Sequence, residues 1–177
     1  MWQIKNPMKQ FSYFEQSAER ASRLIEGMPL DQVVLNRLLL FVVRELQERQ
    51  NRFLTAYGMN SSNFLALAMI LTGEKGRINP CDLSDTLMAS RTNVTRVVDQ
   101  LVAAGWVRRT SGENDRRRVH LSVTDQGLSV LEEILPKLWQ GTATLWGIFT
   151  AEEQAQMNRL LRKLLARLEE GGLAYGE

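Results

Sequence analysis

The segment from Ser90 to Thr124 constrains the fold more than any other part of the chain. Its first third has the i, i+3, i+4, i+7, i+8 spacing of a half-buried helix, with apolar residues at positions 94, 97, 98, 101 and 102. Ser90 can cap the start of this helix, and Gly105 can adopt the left-handed conformation that ends it. Residues 106–109 and 118–123 then alternate with period two around a turn-forming stretch, which predicts a hairpin. A helix followed directly by a hairpin is typical of a winged helix-turn-helix lobe.

The face of this helix opposite the apolar residues is polar and carries hydrogen-bond donors in its first two turns. Arginine can donate two hydrogen bonds to guanine, and asparagine can pair with the edge of adenine in the major groove. We expect Thr92, Asn93 and Arg96 to read bases. Asp99 would repel phosphate and should lie clear of the DNA backbone. The expected DNA contacts on the helix are Ser90, Arg91, Thr92, Asn93, Thr95 and Arg96, of which Arg91 and Thr95 could contact either bases or phosphates.

Positive charge is concentrated in this segment. The net charge of the chain is only +2, but residues 91–118 hold seven arginines against three acidic residues, so the rest of the chain is negative. A local basic patch is typical of a site for a polyanion, although a solvated charged hairpin is the alternative. The expected contacts at the tip of the hairpin are Asp115, Arg116, Arg117 and Arg118.

The segments on either side predict helices, so the fold class is mainly α with one small β-hairpin. We expect helices over about 11–26, 30–57, 61–71, 80–88, 125–149 (bent at Pro136) and from 151 onward. Asn60, Thr124 and a capping box over residues 150–153 should begin three of them. The predicted organisation is an arm (1–10), a helical dimerisation region (11–57 and 125–170), a winged helix-turn-helix DNA-binding lobe (58–124) and a tail (171–177).

Two apolar patterns outside the lobe indicate burial. The middle of the second helix, residues 38–43, is apolar on all sides and is therefore predicted to be buried all round. The last helix carries a regular apolar stripe whose exposure at a chain end would be unfavourable, which favours a homodimer over the alternative of an intramolecular core. The stripe consists of Met157, Leu160, Leu161, Leu164, Leu165 and Leu168.

The motifs of the central segment resemble those of the MarR (multiple-antibiotic-resistance regulator) family. Residues 90–107 are similar to that family's recognition helix and the turn that follows it. The family's wing is resembled by Asp115-Arg116-Arg117, followed at fixed spacing by Val119, Leu121, Val123-Thr124 and Gly127. The likeness extends from about Leu30 to Leu168, and residues 58–67, 90–93 and 114–117 are most similar to the family's multidrug-efflux repressors.

This resemblance implies a homodimer with intertwined N- and C-terminal helices and two winged lobes. It implies binding to a palindromic operator on double-stranded DNA, usually as a repressor released by a small aromatic or amphipathic compound. In the wing it implies that Asp115 holds an arginine by a salt bridge and that Arg117 reaches the minor groove. Arg118 departs from the small or apolar residue of many members, and could contact phosphate or be an inert surface residue.

A redox-sensing repressor is the main alternative. Cys81 is the only cysteine and follows Asn79-Pro80 at a predicted helix start, where the helix dipole can stabilise a thiolate. Cysteine is also an ordinary packing residue, and the chain has no second thiol. The ligand residues of an effector site are not identified by the sequence. Four residues near the lobe junction could line an effector crevice or belong to the plain core, namely Phe41, Phe64, Met69 and Met88.

Catalysis, a metal site and a cofactor are not expected. One histidine, His120, and one cysteine cannot form a metal site, and no nucleophile has a base in a recognisable arrangement. No apolar run in the sequence approaches the ~20 residues of a membrane helix. Residues 1–10 lack the apolar region of a signal peptide, so we expect a cytoplasmic protein without a membrane partner. The remaining non-catalytic alternative is a winged-helix lobe used only for protein contacts.

Overall fold

The computed structural model describes residues 6–73, 78, 83–84, 90–111 and 119–171, with the backbone alone at positions 91, 111 and 119. These residues are mostly helical and contain one antiparallel hairpin. The elements are α1 (Pro7–Ser22), α2 (Leu30–Thr55), α3 (Ser61–Thr72), α4 (Arg91–Ala103), β1 (Val107–Ser111), β2 (Val119–Val123), α5 (Asp125–Trp146) and α6 (Ala151–Glu169). Within this part of the chain, no helix combines the length and apolarity that crossing a membrane requires. The chain divides into two compact units, residues 1–127 and 128–177.

The first helix begins earlier than the sequence pattern predicts. The side chain of Asn6 accepts a hydrogen bond from the backbone N–H of Lys9, and Pro7 occupies the first turn. Asparagine caps helices and proline suits their first turn, so the helix starts at Pro7 and ends at Ser22 instead of covering 11–26. Residues 7–10 of the predicted arm are therefore helical, and residues 1–5 lie outside the described residues.

The prediction that the middle of α2 is buried all round is wrong within a single chain. α1 packs against α2 through the edge contact of Phe11 with Phe41, and α3 packs near its other end. These contacts leave part of the helix surface uncovered. Side chains between 38% and 52% exposed remain at Leu38, Leu40, Val42 and Val43.

The hydrophobic core of the first unit lies between α3, α4 and the hairpin, which pack on one another. The apolar stripe predicted for α4 is confirmed, and Asn60 caps α3 as predicted, by accepting from the backbone N–H of Asn63 at 2.9 Å. The fully buried face of α4 therefore fixes which of its residues point outward. The buried core residues of these elements are Ala66, Leu67, Ile70, Val94, Val97, Val98, Leu101, Val107 and Leu121.

The hairpin pairs Val107 with Val123 and Arg109 with Leu121 in antiparallel register. Ile78 adds a bridge on the other side of β2, since its N–H donates to Leu121 O at 3.3 Å and its carbonyl accepts from Leu121 N at 3.0 Å. The sequence pattern did not predict this isolated β-bridge between Ile78 and Leu121. Most of the predicted helix over 80–88 lies outside the described residues. Residues 83–84, which are described, are helical.

The second unit contains most of α5 and all of α6. α5 ends at Trp146, three residues before its predicted end, and Pro136 lies inside it. The predicted capping box of α6 is confirmed, because Glu153 N donates to Thr150 Oγ1 at 3.2 Å and Thr150 N to Glu153 Oε2 at 2.8 Å. α6 has no buried residue, and its leucines between 42% and 54% exposed are Leu160, Leu161, Leu164, Leu165 and Leu168.

Candidate nucleic-acid interface

The first two turns of α4 present the polar residues that the sequence analysis selected. Ser90 caps the helix, and its hydroxyl accepts from the backbone N–H of Asn93 at 3.3 Å. The buried valines hold the opposite face, so Thr92, Thr95 and Arg96 are exposed and Asn93 is half-buried. The four side chains therefore share the outward surface of one helix start, as predicted.

Two of the predicted base readers contact each other. The guanidinium of Arg96 donates from Nη2 to Asn93 Oδ1 at 2.8 Å. This i, i+3 hydrogen bond holds the guanidinium toward the N-terminal end of α4. A base that binds either side chain must compete with this bond or leave it in place.

The exposed face of α4 is a shallow, slightly concave surface over three turns. The residues predicted to contact DNA lie in its first half, although the helical spacing of the same face continues to its end. The residues that line the concave surface are Thr92, Thr95, Arg96, Asp99, Gln100 and Ala103. All of these side chains are polar except that of Ala103, so hydrogen-bonding groups are available along the whole face.

An ion pair joins α4 to β1 of the hairpin. Asp99 Oδ1 and Arg109 Nη2 are 2.5 Å apart, and their side chains are 57% and 42% exposed. The pair neutralises the only acid on the concave surface described above, so Asp99 does not present an unpaired negative charge there. Exposed pairs of this kind contribute about 0–1 kcal/mol to stability, so the main effect is on local charge and orientation. This ion pair was not predicted from the sequence, in which the two residues are ten positions apart.

The wing strands carry one more tethered cation. Arg108 Nε donates to Ser122 Oγ at 3.0 Å across the hairpin. His120, which the sequence left facing solvent or DNA, is half-buried on β2 opposite Thr110. Arg108 and Arg109 are adjacent on β1, so their side chains leave the sheet on opposite faces and only Arg109 reaches α4.

A junction of four chain segments sets the wing against α4. Gly105 has the predicted left-handed backbone, with φ of +75°. Thr124 Oγ1 donates to Gly105 O at 2.6 Å and accepts from Gly127 N at 3.1 Å, which confirms the predicted cap. A Cβ at Gly127 would lie 2.2 Å from Trp106 O, so only glycine fits there. The end of α4, both strands and the start of α5 thus meet at one point.

Several predicted residues cannot be located. Asp115, Arg116, Arg117, Arg118 and the redox candidate Cys81 lie outside the described residues, as does Met88. α4 begins at Arg91, of which only the backbone is described. Among the other effector candidates, Phe64 and Met69 are half-buried, and Phe41 contacts Phe11. Within the described ranges, no group of three or more metal-ligating side chains occurs.

Comparison with known proteins covers both the sequence and the fold. Residues 59–119, which contain α3, α4 and the start of the wing, match the MarR family. The chain is 38% identical over 151 residues to the transcriptional repressor MprA of Escherichia coli K12, with 85% of each chain covered. It is 31% identical over 142 residues to the HTH-type transcriptional regulator PrsX of E. coli, covering 80% of this chain and 86% of the relative. A crystal structure of a mutant of E. coli MarR complexed with operator DNA has a TM-score of 0.69 at 28% identity, over 79% of this chain and 99% of that one.

Proposed function

Because this chain belongs to the MarR family of transcriptional regulators, which are not enzymes, we propose that it is a homodimeric repressor of a palindromic DNA operator. One observation carries the proposal. The buried stripe of α4 leaves a shallow surface of mainly polar residues outward, and Arg96 of that surface lies within the first two turns of the helix. Base-reading residues of helix-turn-helix proteins occupy this part of the recognition helix.

We assign different tasks to the two parts of the interface. Thr92, Asn93 and Arg96 read base edges, with Ser90, Arg91 and Thr95 beside them on bases or phosphates. The support is the exposed surface that Ser90, Thr92, Thr95 and Arg96 share with the half-buried Asn93. For Arg91 the support is its position in the first turn of α4 alone. In the wing, Arg117 enters the minor groove, Asp115 orients an arginine, and Arg116 and Arg118 add positive charge. The support for the wing assignment is the sequence likeness alone.

Dimerisation is assigned to residues 11–57 and 125–170, and the winged lobe to 58–124. Support comes from the apolar side chains that a single chain leaves exposed on α2 and α6. Apolar side chains that remain exposed along a helix in this way mark interfaces between proteins. Light scattering should give the mass of a dimer, and a monomeric mass would reject this part of the proposal.

We further propose that a small aromatic or amphipathic compound releases the repressor from DNA. The support is the 38% identity to the repressor MprA, together with the family resemblance of the recognition helix and wing. A series of substituted benzoates and phenols, added to the preformed complex, should include compounds that lower operator affinity. Equal affinity across the whole series would count against release by aromatic compounds.

A fluorescence anisotropy titration tests the DNA-binding proposal, with labelled DNA from upstream of the chain's own gene. Arg96→Ala should weaken operator binding by about 1–3 kcal/mol and relax specificity at one base pair. Arg117→Ala should weaken binding by more than ~1 kcal/mol and reduce the salt slope by about one unit. Arg20→Ala is the matched control, because that exposed arginine of α1 bonds only to Ser17 on its own helix. Binding without salt dependence would favour the lobe that serves only protein contacts.

A further inference from the structure

The junction between α2 and α3 contains a side-chain contact between two separate helices. Asn51 lies in the last two turns of α2, and its Oδ1 accepts from both the backbone N–H and the hydroxyl of Ser61, each at 2.8 Å. Ser61 is the first residue of α3. The first N–H groups of a helix lack partners within the helix, so Asn51 supplies from α2 an acceptor that α3 needs. Asn60, the local cap, takes the N–H of Asn63 instead.

The connection between the two helices is also fixed at its base. Gly58 turns the chain with φ of +70°. Met59 N then donates to Leu54 O at 3.2 Å, and both of these side chains are buried. A short connection that is packed at one end and bonded through Asn51 at the other has little freedom to pivot.

We propose that the Asn51 carboxamide is a positioning group that sets the angle at which the winged lobe leaves α2. α3 packs on α4 and on β2, so a rotation at the start of α3 carries the recognition helix and the wing with it. In a dimer, that angle determines the separation of the two recognition helices, which must match half-sites about 34–36 Å apart. This inference rests on the proposed dimeric repressor.

Distance measurement by double electron–electron resonance tests the inference without DNA. A spin label at Ala103→Cys, in a Cys81→Ser background, reports the separation of the two α4 helices in the full-length dimer. The parent should give one narrow distance distribution, and Asn51→Ala should broaden it. Asn51→Asp keeps an oxygen acceptor at the start of α3 and should restore the narrow distribution. Thr72→Val is the control, because its exposed hydroxyl bonds to Ala68 O and Met69 O of its own helix and its loss should leave the distribution narrow.

Operator binding gives the second readout. Loss of the two hydrogen bonds should lower affinity for an operator of native spacing about tenfold. The same substitution should lower affinity less for operators lengthened or shortened by one or two base pairs than for the operator of native spacing. Affinity for an isolated half-site should not change. A purely structural cap for α3 would weaken binding to all of these DNAs in parallel.

The outcomes separate the inference from the proposed function. Unchanged distance and spacing dependence in folded Asn51→Ala would overturn the inference. If that variant fails to fold, Ser61→Ala removes only the hydroxyl bond and should give intermediate broadening, and an unchanged distribution there is equally decisive against it. A parent without dipolar coupling is not a dimer, which overturns both proposals. A parent with a narrow distribution but no operator binding overturns the operator proposal, while the distances still decide the role of Asn51.

Discussion

Replacing Thr124 by valine should reveal how much the two hydrogen bonds of its hydroxyl contribute to the stability of the wing junction. The hydroxyl of Thr124 donates to Gly105 O at 2.6 Å and accepts from Gly127 N at 3.1 Å. It therefore joins the end of α4 to the first turn of α5. Valine has the same shape as threonine but lacks the hydroxyl, so Thr124→Val removes both hydrogen bonds without creating a cavity.

The expected cost follows from these two bonds. Loss of the cap on α5 costs about 1 kcal/mol, within a range of roughly 0.5–2. The bond to Gly105 O adds about 1 kcal/mol, since its acceptor is part-buried and loses its hydroxyl donor. We therefore expect Thr124→Val to lower the free energy of unfolding by about 2 kcal/mol. For a chain of 177 residues this corresponds to a fall in Tm of about 4–8 °C.

Urea unfolding followed by circular dichroism measures this change, at one fixed protein concentration because the stability of the proposed dimer would depend on concentration. Thr142→Val is the matched control. The hydroxyl of Thr142 bonds only to Leu138 O within the exposed part of α5, so this variant should change stability by less than about 0.5 kcal/mol. Thr124→Ser keeps a hydroxyl and should retain most of the stability.

Equal stabilities of Thr124→Val and Thr142→Val would refute the reasoning, because the junction hydroxyl would then contribute no more than a solvent-exposed one. A loss for Thr124→Ser as large as that for Thr124→Val would refute it differently. That result would assign the effect to packing of the methyl group instead of to the two hydrogen bonds.

Two further predictions concern the same helix starts. Gly127→Ala should destabilise the chain by at least about 1–3 kcal/mol, as judged by urea unfolding, because its Cβ would overlap the backbone of Trp106; a change within 0.5 kcal/mol would contradict this. At the start of α6, hydrogen bonds from the backbone N–H of Glu152 and then from the Thr150 hydroxyl hold the pKa of the Glu152 carboxyl below its usual 4.5. Because the pKa is lowered on folding, the ionised carboxyl stabilises the folded chain above pH 4.5, and this stabilisation is lost as the pH falls through the folded-state pKa. Glu152→Gln should therefore reduce the loss of stability at acid pH. Thermal melts that show the same acid dependence for both proteins would exclude this.

Much of the winged lobe could be predicted from the sequence because its signals are local. The stripe of α4, the cap at Ser90 and the left-handed Gly105 each depend on residues within a few turns of one another. The same holds for the capping box of α6, in which Thr150 and Glu153 are three residues apart. Caps and periodic burial depend on residues that are close together in the sequence, so these elements occur where the sequence pattern predicts them.

The bounds of a helix were less predictable where apolar periodicity does not mark its first residue. α1 starts at Pro7 because Asn6 caps it, a signal that the sequence contains but that the apolar pattern alone does not reveal. The burial predicted for the middle of α2 was wrong for a different reason. A hydrophobic run predicts that the surface of a helix is buried. Which sides of that helix other elements cover depends on how the elements pack.

The residue types of the interface and the order of its elements were thus determined by the sequence alone. Tertiary structure decided which polar groups meet. Asp99 contacts Arg109 because the turn at Gly105 places β1 beside α4. Asn51 contacts Ser61 because α3 packs against the end of α2. Such contacts depend on distance and direction in three dimensions, and residue order does not specify either until the buried faces of the helices have been brought together.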